Sequence, residues 1–478
     1  MTTPVAPTDV LTWPVIGPVL RWRHARTALQ LVLLALAAVL VAHGLLGPQL
    51  APANLSTVLT WVHYRGLLIV VLLAAGNLFC TGCPFVLVRD AARRLHAPTA
   101  RWPRWLRRKW PALALFVAVL FVYELFDLWA LPRATAWLVL GYFGAALAID
   151  VAFTGASFCK YVCPIGQFNF MASTLSPLEV RVRRPETCQA CRTVDCIKGR
   201  RLPEAPLRVI RRGCELRLFL PAKVGNLDCT LCFDCVQACP HDNIGLVTRT
   251  PATELADPRR RSGIGRLAQR WDLAALVVVF VFGALLNAFA MTAPARAVEE
   301  WLALRLSLQT EAVPLAVLFA AALVAAPALL IGAAAWGSAA ASGTALRPQL
   351  STFVYALVPV GAGIWAAHYG FHLLTGFFTV VPVTQSAVLD AAGRAWLGGP
   401  YWTWVGMQRG AVFPIQLGLI ALGAMGSVAV ARLVAERESP AHPAAAAVPW
   451  AALTILLAAF AVWTLAQPMD MRAVGAFG

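Results

Sequence analysis

The chain has 478 residues, of which 59% are hydrophobic and only 13% are charged, and its mean hydropathy is +0.68. These values exclude an ordinary soluble domain, in which about a quarter of the residues are charged, and they place most of the chain in lipid. The formal net charge is +17. No nucleic-acid-binding motif accompanies this charge, so we attribute it mainly to membrane topology.

Nine stretches are apolar and long enough for a membrane-spanning helix, which needs roughly 20 apolar residues. The first is too long for the core of a signal peptide and lacks a small-residue cleavage site, so we interpret it as a retained helix. The sequence thus predicts a mainly α-helical integral membrane protein with about nine transmembrane helices. They lie at about 26–47, 66–86, 111–131, 136–157, 272–291, 312–336, 351–378, 411–434 and 449–466.

The basic residues indicate the orientation, because cytoplasmic loops carry the excess of lysine and arginine. The segment 89–110 contains eight basic residues, whereas Arg65 is the one basic residue between the first two predicted helices. Counting crossings from this cytoplasmic segment places the N-terminus in the cytoplasm and the C-terminus outside. The predicted domains are a four-helix membrane domain, a cytoplasmic insert and a five-helix membrane domain, at 1–170, 171–270 and 271–478.

Two cysteine pairs, each followed by proline, end the second and fourth predicted helices. They are Cys80 and Cys83 before Pro84, and Cys159 and Cys163 before Pro164. The matched positions indicate an internal repeat of helical hairpins that brings four thiols together at the cytoplasmic membrane face, as a third iron–sulfur cluster or a dithiol relay. In the alternative interpretation, proline ends each helix and the cysteines pack as small hydrophobic residues.

The insert carries the strongest motif of the chain. Its second cysteine run follows the C-x2-C-x2-C-x3-C-P spacing of bacterial ferredoxins, in which three thiolates bind one cubane and the fourth binds the other. Structural disulfides are not expected in a reducing cytoplasm. We predict a small α/β domain of the two-cluster ferredoxin type, although thiolates also bind zinc. Its eight cysteines are Cys188, Cys191, Cys196, Cys214, Cys229, Cys232, Cys235 and Cys239.

The insert cysteines divide into two predicted ligand sets. The first set combines the first run with Cys239, and the second set combines Cys229, Cys232 and Cys235 with Cys214. The first run departs from the standard spacing, because Cys214 lies 18 positions after Cys196. This insertion leaves the identity of the crossing ligand open.

Four histidines lie on the predicted outer side and are candidate ligands for b-type haem, copper or a quinone head group. They are His43, His63, His368 and His372. His368 and His372 share one helical face, so they cannot supply both axial ligands of one haem. Alternatively, such residues anchor helices at the lipid headgroups.

Three acidic residues lie within the predicted helices or at their ends. Glu124 and Asp127 near the outer surface suit a proton exit during quinol oxidation, or cap the helix end towards water. Asp150 is the better candidate for a buried role. No nucleotide-binding or hydrolase motif is recognisable.

The cysteine–proline hairpins and the double ferredoxin run resemble the membrane polyferredoxin family that includes NapH, NosR and the cytochrome-oxidase accessory protein CcoG. The resemblance covers about residues 26–270 and rests on the four membrane cysteines and the eight insert cysteines. It implies two [4Fe-4S] clusters at the cytoplasmic face of a bacterial inner membrane. It also implies electron transfer between the quinone pool or a cytoplasmic donor and a periplasmic reductase or metal centre.

We expect three departures from the family pattern: no extended flavin-bearing N-terminal region, a first motif of the form C-x2-C-P, and five further helices after the insert. The redox partners of the family members are therefore not assigned to this chain. We predict an electron-transfer component with a redox partner protein, rather than a stand-alone enzyme. The alternative is a biogenesis factor that reduces copper during assembly of a respiratory oxidase or reductase, whose loss would leave that enzyme without metal.

Overall fold

The computed structural model describes residues 8–96, 98–202, 205–262 and 264–470 and is mostly helical. Eight of the helices in these ranges are long and apolar enough to cross a membrane. They are Ala25–Leu46, Leu55–Ala75, Pro132–Ala152, Trp271–Phe289, Ala312–Ser342, Leu346–Thr375, Arg409–Glu438 and Pro443–Ala466.

The third of the nine predicted spans is shorter than expected. Instead of 111–131, it forms the helix Trp110–Leu125, which has 16 residues. At 1.5 Å per residue such a helix is about 24 Å long, less than the roughly 30 Å hydrocarbon core. The prediction of about nine spans therefore becomes eight long helices and two shorter apolar ones, Trp110–Leu125 and Phe377–Ala392, in the described ranges.

The second predicted span is displaced along the chain. The helix runs from Leu55 to Ala75 rather than over 66–86, and it ends where Gly76 adopts a φ of +83°. Polar residues between Trp61 and Arg65 lower the local hydropathy, which explains why the predicted start was too late. The predicted fourth span, 136–157, likewise ends earlier, at Ala152, so both cysteine pairs lie after their spans.

The chain forms two compact units. The first comprises Met1–Ala37, Val71–Ala112 and Gly141–Asp272, and the second comprises Ala38–Val70, Leu113–Leu140 and Leu273–Gly478. All twelve cysteines lie in the first unit. The first unit also contains the short helices Ile16–Arg21, Leu78–Thr81, Pro84–Leu95, Pro164–Ala172, Pro185–Ala190, Asp195–Lys198 and Asp234–Ala238.

The predicted insert contains two small antiparallel sheets. The strands are β1 (Leu178–Val182), β2 (Arg200–Leu202), β3 (Ala205–Arg211) and β4 (Ile244–Thr248). Strand β1 pairs with β4 and β2 pairs with β3. Buried Val180, Leu231, Phe233 and Leu246 form a core together with Cys235, so the sheet positions the second cysteine run. The assignment of the insert as a ferredoxin-type domain stays a prediction.

In the second unit, the helices Leu346–Thr375 and Arg409–Glu438 approach each other through glycine. A Cβ atom on Gly363 would lie 2.7 Å from the carbonyl oxygen of Leu419, and one on Gly423 would lie 2.6 Å from the carbonyl oxygen of Pro359. Small residues allow membrane helices to pack this closely. The remaining helix of this unit is Ala293–Leu306.

We expect Gly363→Ala to lower stability by about 1–3 kcal/mol, because the added methyl group overpacks the helix contact. Gly418→Ala is the control, since a Cβ atom there meets nothing within 4 Å. In a helix, glycine to alanine is otherwise neutral or stabilising by up to about 1 kcal/mol. Thermal unfolding in detergent compares the two variants, and equal midpoints would contradict the close packing.

Candidate functional site

The two membrane cysteine pairs have similar local structure, although the segment around Cys80 is α-helical and the one around Cys159 is a π-helix. In each pair the first cysteine lies in a short helical segment. This segment is Leu78–Thr81 in the first pair and Phe158–Val162 in the second. The second cysteine is the N-cap of a following helix whose first residue is proline. Proline suits this position because its fixed φ fits the helix and its missing N–H group would have no helical partner. The repeat predicted from the sequence therefore has a matching backbone arrangement.

The four cysteines of these pairs line one cavity of about 30 Å³. Its wall also includes Asp150, Thr230 and Glu215. The backbone N–H of Gly166 donates to the sulfur of Cys163 at 3.2 Å. Asn169 donates to the sulfur of Cys80 at 3.5 Å. The cavity therefore brings four thiols together and supplies hydrogen bonds to sulfur.

The insert cysteines of the first predicted set are neighbours in the structure. Burial and the proximity of Cys239, Cys188 and Cys191 raise the pKa of Cys196 to about 12. The Asn243 side chain donates to the sulfur of Cys188 at 3.4 Å, and its backbone N–H donates to the sulfur of Cys239 at 3.3 Å. Asn243 was not singled out by the sequence, because hydrogen bonds to sulfur leave no spacing signature.

The second predicted set is grouped in the same way. Burial, followed by the proximity of Cys232, Cys214 and Cys229, raises the pKa of the Cys235 thiol. The sulfur of Cys214 accepts a hydrogen bond from the backbone N–H of Leu218 at 3.3 Å. The sulfur neighbours thus include Cys214, the predicted fourth ligand of this set.

These arrangements bear on the kind of metal that the thiols fit. Among the described side chains, no group of three or more histidines, cysteines, aspartates or glutamates is arranged to hold a single metal ion. In a [4Fe-4S] cluster the four thiolates bind different iron atoms, and N–H donors to sulfur tune the potential. The N–H donors to sulfur described above suit such a cluster. Ligation by these thiols, of iron–sulfur clusters or of zinc, stays a prediction.

The loop of the second cysteine run is hydrogen-bonded to the first membrane pair. The Thr81 hydroxyl, between Cys80 and Cys83, donates to the carbonyl oxygens of Thr230 and Leu231 at 3.0 and 2.8 Å. The side chain of Asn77 donates to the carbonyl oxygen of the first cysteine of that run at 3.2 Å. These bonds fix the second ligand set directly against the membrane cysteines.

The second membrane pair is attached to the insert by two lysines. Lys160, which follows Cys159, donates to the carbonyl oxygen of Leu216 at 2.8 Å. Buried Lys109 donates to the carbonyl oxygen of Lys160 at 2.9 Å and to the Asp228 carboxylate at 2.6 Å. The acceptors on the insert lie beside ligands of the second set. Both membrane pairs are therefore joined by hydrogen bonds to segments that carry ligands of the second set.

A buried ion network lies in the wall of the cavity. The Glu215 carboxylate, 6% exposed, is 2.6 Å from a guanidinium nitrogen of Arg26 and 2.5 Å from one of Arg89. Burial acts to raise the pKa of Glu215, but the two guanidinium groups outweigh it and lower the pKa to about 2. Arg26 also pairs with Asp234, and Arg89 with Asp150. The cavity wall thus includes a carboxylate that is ionised at neutral pH.

The four candidate histidines have different surroundings, and all lie in the second unit. The ring nitrogens of His63 lie 3.1 and 3.0 Å from two backbone carbonyl oxygens. His43 accepts a hydrogen bond from the backbone N–H of Leu55 at 3.2 Å through Nδ1. These contacts give both side chains a structural role within the fold, and Nε2 of His43 is buried without a hydrogen-bond partner in the described part of the chain.

His368 and His372 have no such partners at Nε2 within the described part of the chain, and both Nε2 atoms are buried. Their rings lie 5.1 Å apart and are perpendicular. Two unpartnered nitrogens on neighbouring rings make this pair a candidate ligand site, and haem or quinone binding stays a prediction.

Arg65 is a partly buried cation that was predicted to lie between two spans but lies inside the helix Leu55–Ala75. Its guanidinium carbon lies about 5 Å from three ring centroids, those of Trp61, Tyr123 and Tyr369. Its Nε donates to the carbonyl oxygen of Trp61 at 2.9 Å. Contact with aromatic faces is worth about 2 kcal/mol for a desolvated cation, which partly offsets its burial.

The three candidate acidic residues have distinct surroundings in the structure. Asn287 donates to the buried Glu124 carboxylate at 3.1 Å. Asp127 follows the end of helix Trp110–Leu125 and has a left-handed φ of +46°. Asp150 accepts from the backbone N–H of Phe158 at 2.9 Å, so it ties the fourth span to the second cysteine pair. The expected buried role of Asp150 is thus structural.

Comparison with known proteins finds sequence similarity over a short segment of the chain. No protein-family model and no solved structure matches the chain. A segment of 95 residues is 30% identical to a protein of Escherichia coli (strain K12) described as "Putative electron transport protein YccM". This segment is 20% of the present chain and covers 22% of the relative, so the chain spans about a fifth of that protein.

Proposed function

We propose that the chain is a membrane-bound iron–sulfur protein that relays single electrons. The observation that carries this proposal is the hydrogen bonding of Thr81, in the first membrane pair, to the loop of the second cysteine run. It joins the most specific metal-binding motif of the sequence to a second cluster of thiols. When bound, a [4Fe-4S] cluster takes up and releases one electron.

The proposed electron route has three redox sites within the first unit, here called stations. They are the first ligand set, the second ligand set and the four membrane cysteines. The first and second ligand sets are linked where the backbone N–H of Cys214 donates to the carbonyl oxygen of Cys196 at 2.7 Å. The second set is linked to the membrane cysteines through Thr81. Because each link is a direct hydrogen bond, a carrier at each station lies close to the next one.

Residues of the chain supply hydrogen bonds, fixed positions or charge at each station. Asn243 donates to two sulfurs of the first set, which stabilises negative charge there. Lys109 and Lys160 hold the second set against the membrane pair. Glu215 and its two arginines set the charge at the third station.

The setting of the proposed relay is a membrane. Eight apolar helices of spanning length support multi-pass insertion, and the name of the E. coli relative supports electron transport. We assign the protein to a bacterial inner membrane, with the N-terminus and the insert in the cytoplasm and the C-terminus outside. A redox protein is the proposed donor, and a quinone or haem beside His368 and His372 is a candidate acceptor.

Iron analysis with electron paramagnetic resonance on anaerobically purified protein tests the proposal. We expect about 12 iron atoms per chain for three clusters, and about 8 for the variant Cys80→Ser/Cys83→Ser, because the membrane cluster would be lost. About 8 iron atoms in both proteins would leave the membrane cysteines as a dithiol relay or packing residues. A protein without iron and acid-labile sulfide would overturn the proposal.

A further inference from the structure

The insertion between Cys196 and Cys214 is a β-hairpin, β2 with β3, that the proposed relay does not use. Its two ends meet at one point, where the backbone N–H of Cys214 bonds to the Cys196 carbonyl oxygen. Gly213 packs against Gly199 there, since a Cβ atom on Gly213 would lie 2.3 Å from the Gly199 nitrogen. The hairpin therefore projects from the junction of the two ligand sets.

The hairpin concentrates positive charge. Residues 198–212 contain six lysines and arginines and one acid. Arg200 and Arg211 are exposed and directly opposite each other across the two strands. Like charges at such a position repel. Arg212 is paired with Asp90, but no described carboxylate forms an ion pair with Arg200 or Arg211. An anionic partner would relieve this repulsion.

The hairpin also exposes apolar side chains beside these charges. On β3, Val209 and Ile210 are 44% and 46% exposed. A small apolar centre with charged surroundings is typical of transient redox interfaces, which bury less than about 1,200 Å². The segment 198–212 contains no aromatic residue, whereas interfacial contacts with lipid favour tryptophan and tyrosine. These features favour a protein partner over a lipid surface.

The location suits electron entry as well. Strand β3 packs against the helix Asp234–Ala238, which carries Cys235 of the second set. A protein bound on the hairpin would therefore lie beside both ligand sets. This argument rests on the proposed electron relay.

We propose that the base of the β2–β3 hairpin, formed by Arg200, Val209, Ile210 and Arg211, is the docking surface for an acidic, soluble electron-carrier protein that reduces the insert. In each encounter the reduced carrier loses one electron and a centre in the insert gains it, with no bond made or broken. Opposite charges steer such encounters, and steering raises association rates by about 10- to 1,000-fold at low salt.

The test uses the full-length protein in phosphatidylcholine nanodiscs and a reduced, acidic plant-type [2Fe-2S] ferredoxin as the probe. Stopped-flow absorbance gives the second-order rate constant of reduction. For Arg200→Glu/Arg211→Glu we expect at least a 10-fold lower rate constant at low salt and loss of its salt dependence. The matched control, Arg260→Glu/Arg261→Glu, makes the same charge change at two exposed arginines outside the hairpin and is expected to keep the wild-type rate.

Further readouts separate the ways in which this proposal fails. Reduction by methyl viologen radical, a small carrier, is expected to be unchanged in the hairpin variant. An equal loss with methyl viologen, an equal loss in the control variant, or an unchanged ferredoxin rate overturns the docking surface. An effect seen only in phosphatidylglycerol nanodiscs assigns the hairpin to anionic lipid and also overturns it. Iron content is measured throughout, because absence of iron refutes the relay itself.

Discussion

Replacing Cys232 with serine is expected to remove about four iron atoms per chain and to abolish electron transfer from the insert to the membrane cysteines. Cys232 is buried in the second set, directly after the two residues whose carbonyl oxygens bind Thr81. A serine oxygen is a harder ligand than a thiolate and replaces it poorly on iron–sulfur clusters. Iron and sulfide analysis and stopped-flow reduction measure the two effects.

Cys188→Ser is the matched variant, because it changes the same residue type in the first set. It is also expected to lose about four iron atoms, yet to leave the second set and the membrane cysteines reducible by dithionite. Wild-type iron content in Cys232→Ser would show that the second run is not a ligand set. Equal loss of all centres in both variants would show that the three stations do not assemble independently.

The membrane spans were largely predictable because lipid selects for apolar side chains along a continuous stretch of chain. The errors occur where tertiary contacts compensate a polar residue. Arg65 breaks the hydropathy of the second span, but its guanidinium group contacts Trp61 of the same helix and Tyr123 and Tyr369 of two other helices. Hydropathy reads only local sequence, so it placed the start of the Leu55–Ala75 helix too late.

The candidate site also has a part that the sequence predicted, the cysteine groups, and a part that it did not, the charged residues around them. Cysteine spacing is a local signal, and it predicted groups of thiols that the structure brings together, including the four that line the cavity. The charges around them come from remote positions. Arg26 and Glu215 are 189 residues apart in the chain, and Arg89 was counted as a topology determinant although its side chain is only 5% exposed. Such pairings are set by the fold and have no sequence pattern.

Glu215→Gln is expected to raise the midpoint potential of the centre in the membrane-cysteine cavity. The wild-type carboxylate lies in the cavity wall, and removing a negative charge in a poorly screened interior favours the electron-rich state of a nearby centre. Redox titration followed by electron paramagnetic resonance measures the potential. Glu254→Gln is the control, because Glu254 is a buried carboxylate paired with Arg249 that does not line the cavity. An unchanged potential in Glu215→Gln, or the same rise in both variants, would contradict this role.

The same substitution is expected to cost about 3–5 kcal/mol of stability at neutral pH, because Arg26 and Arg89 lose the carboxylate between them. The folded-state pKa of Glu215 is about 2, below its ordinary value of 4.5. Its ionised form therefore stabilises the fold at every pH above about 4.5, and this contribution is lost as the pH falls towards 2. The difference in unfolding midpoint between wild type and Glu215→Gln should accordingly shrink over that range. A difference that stays constant down to pH 2 would mean that lost packing, rather than lost charge, destabilises the variant.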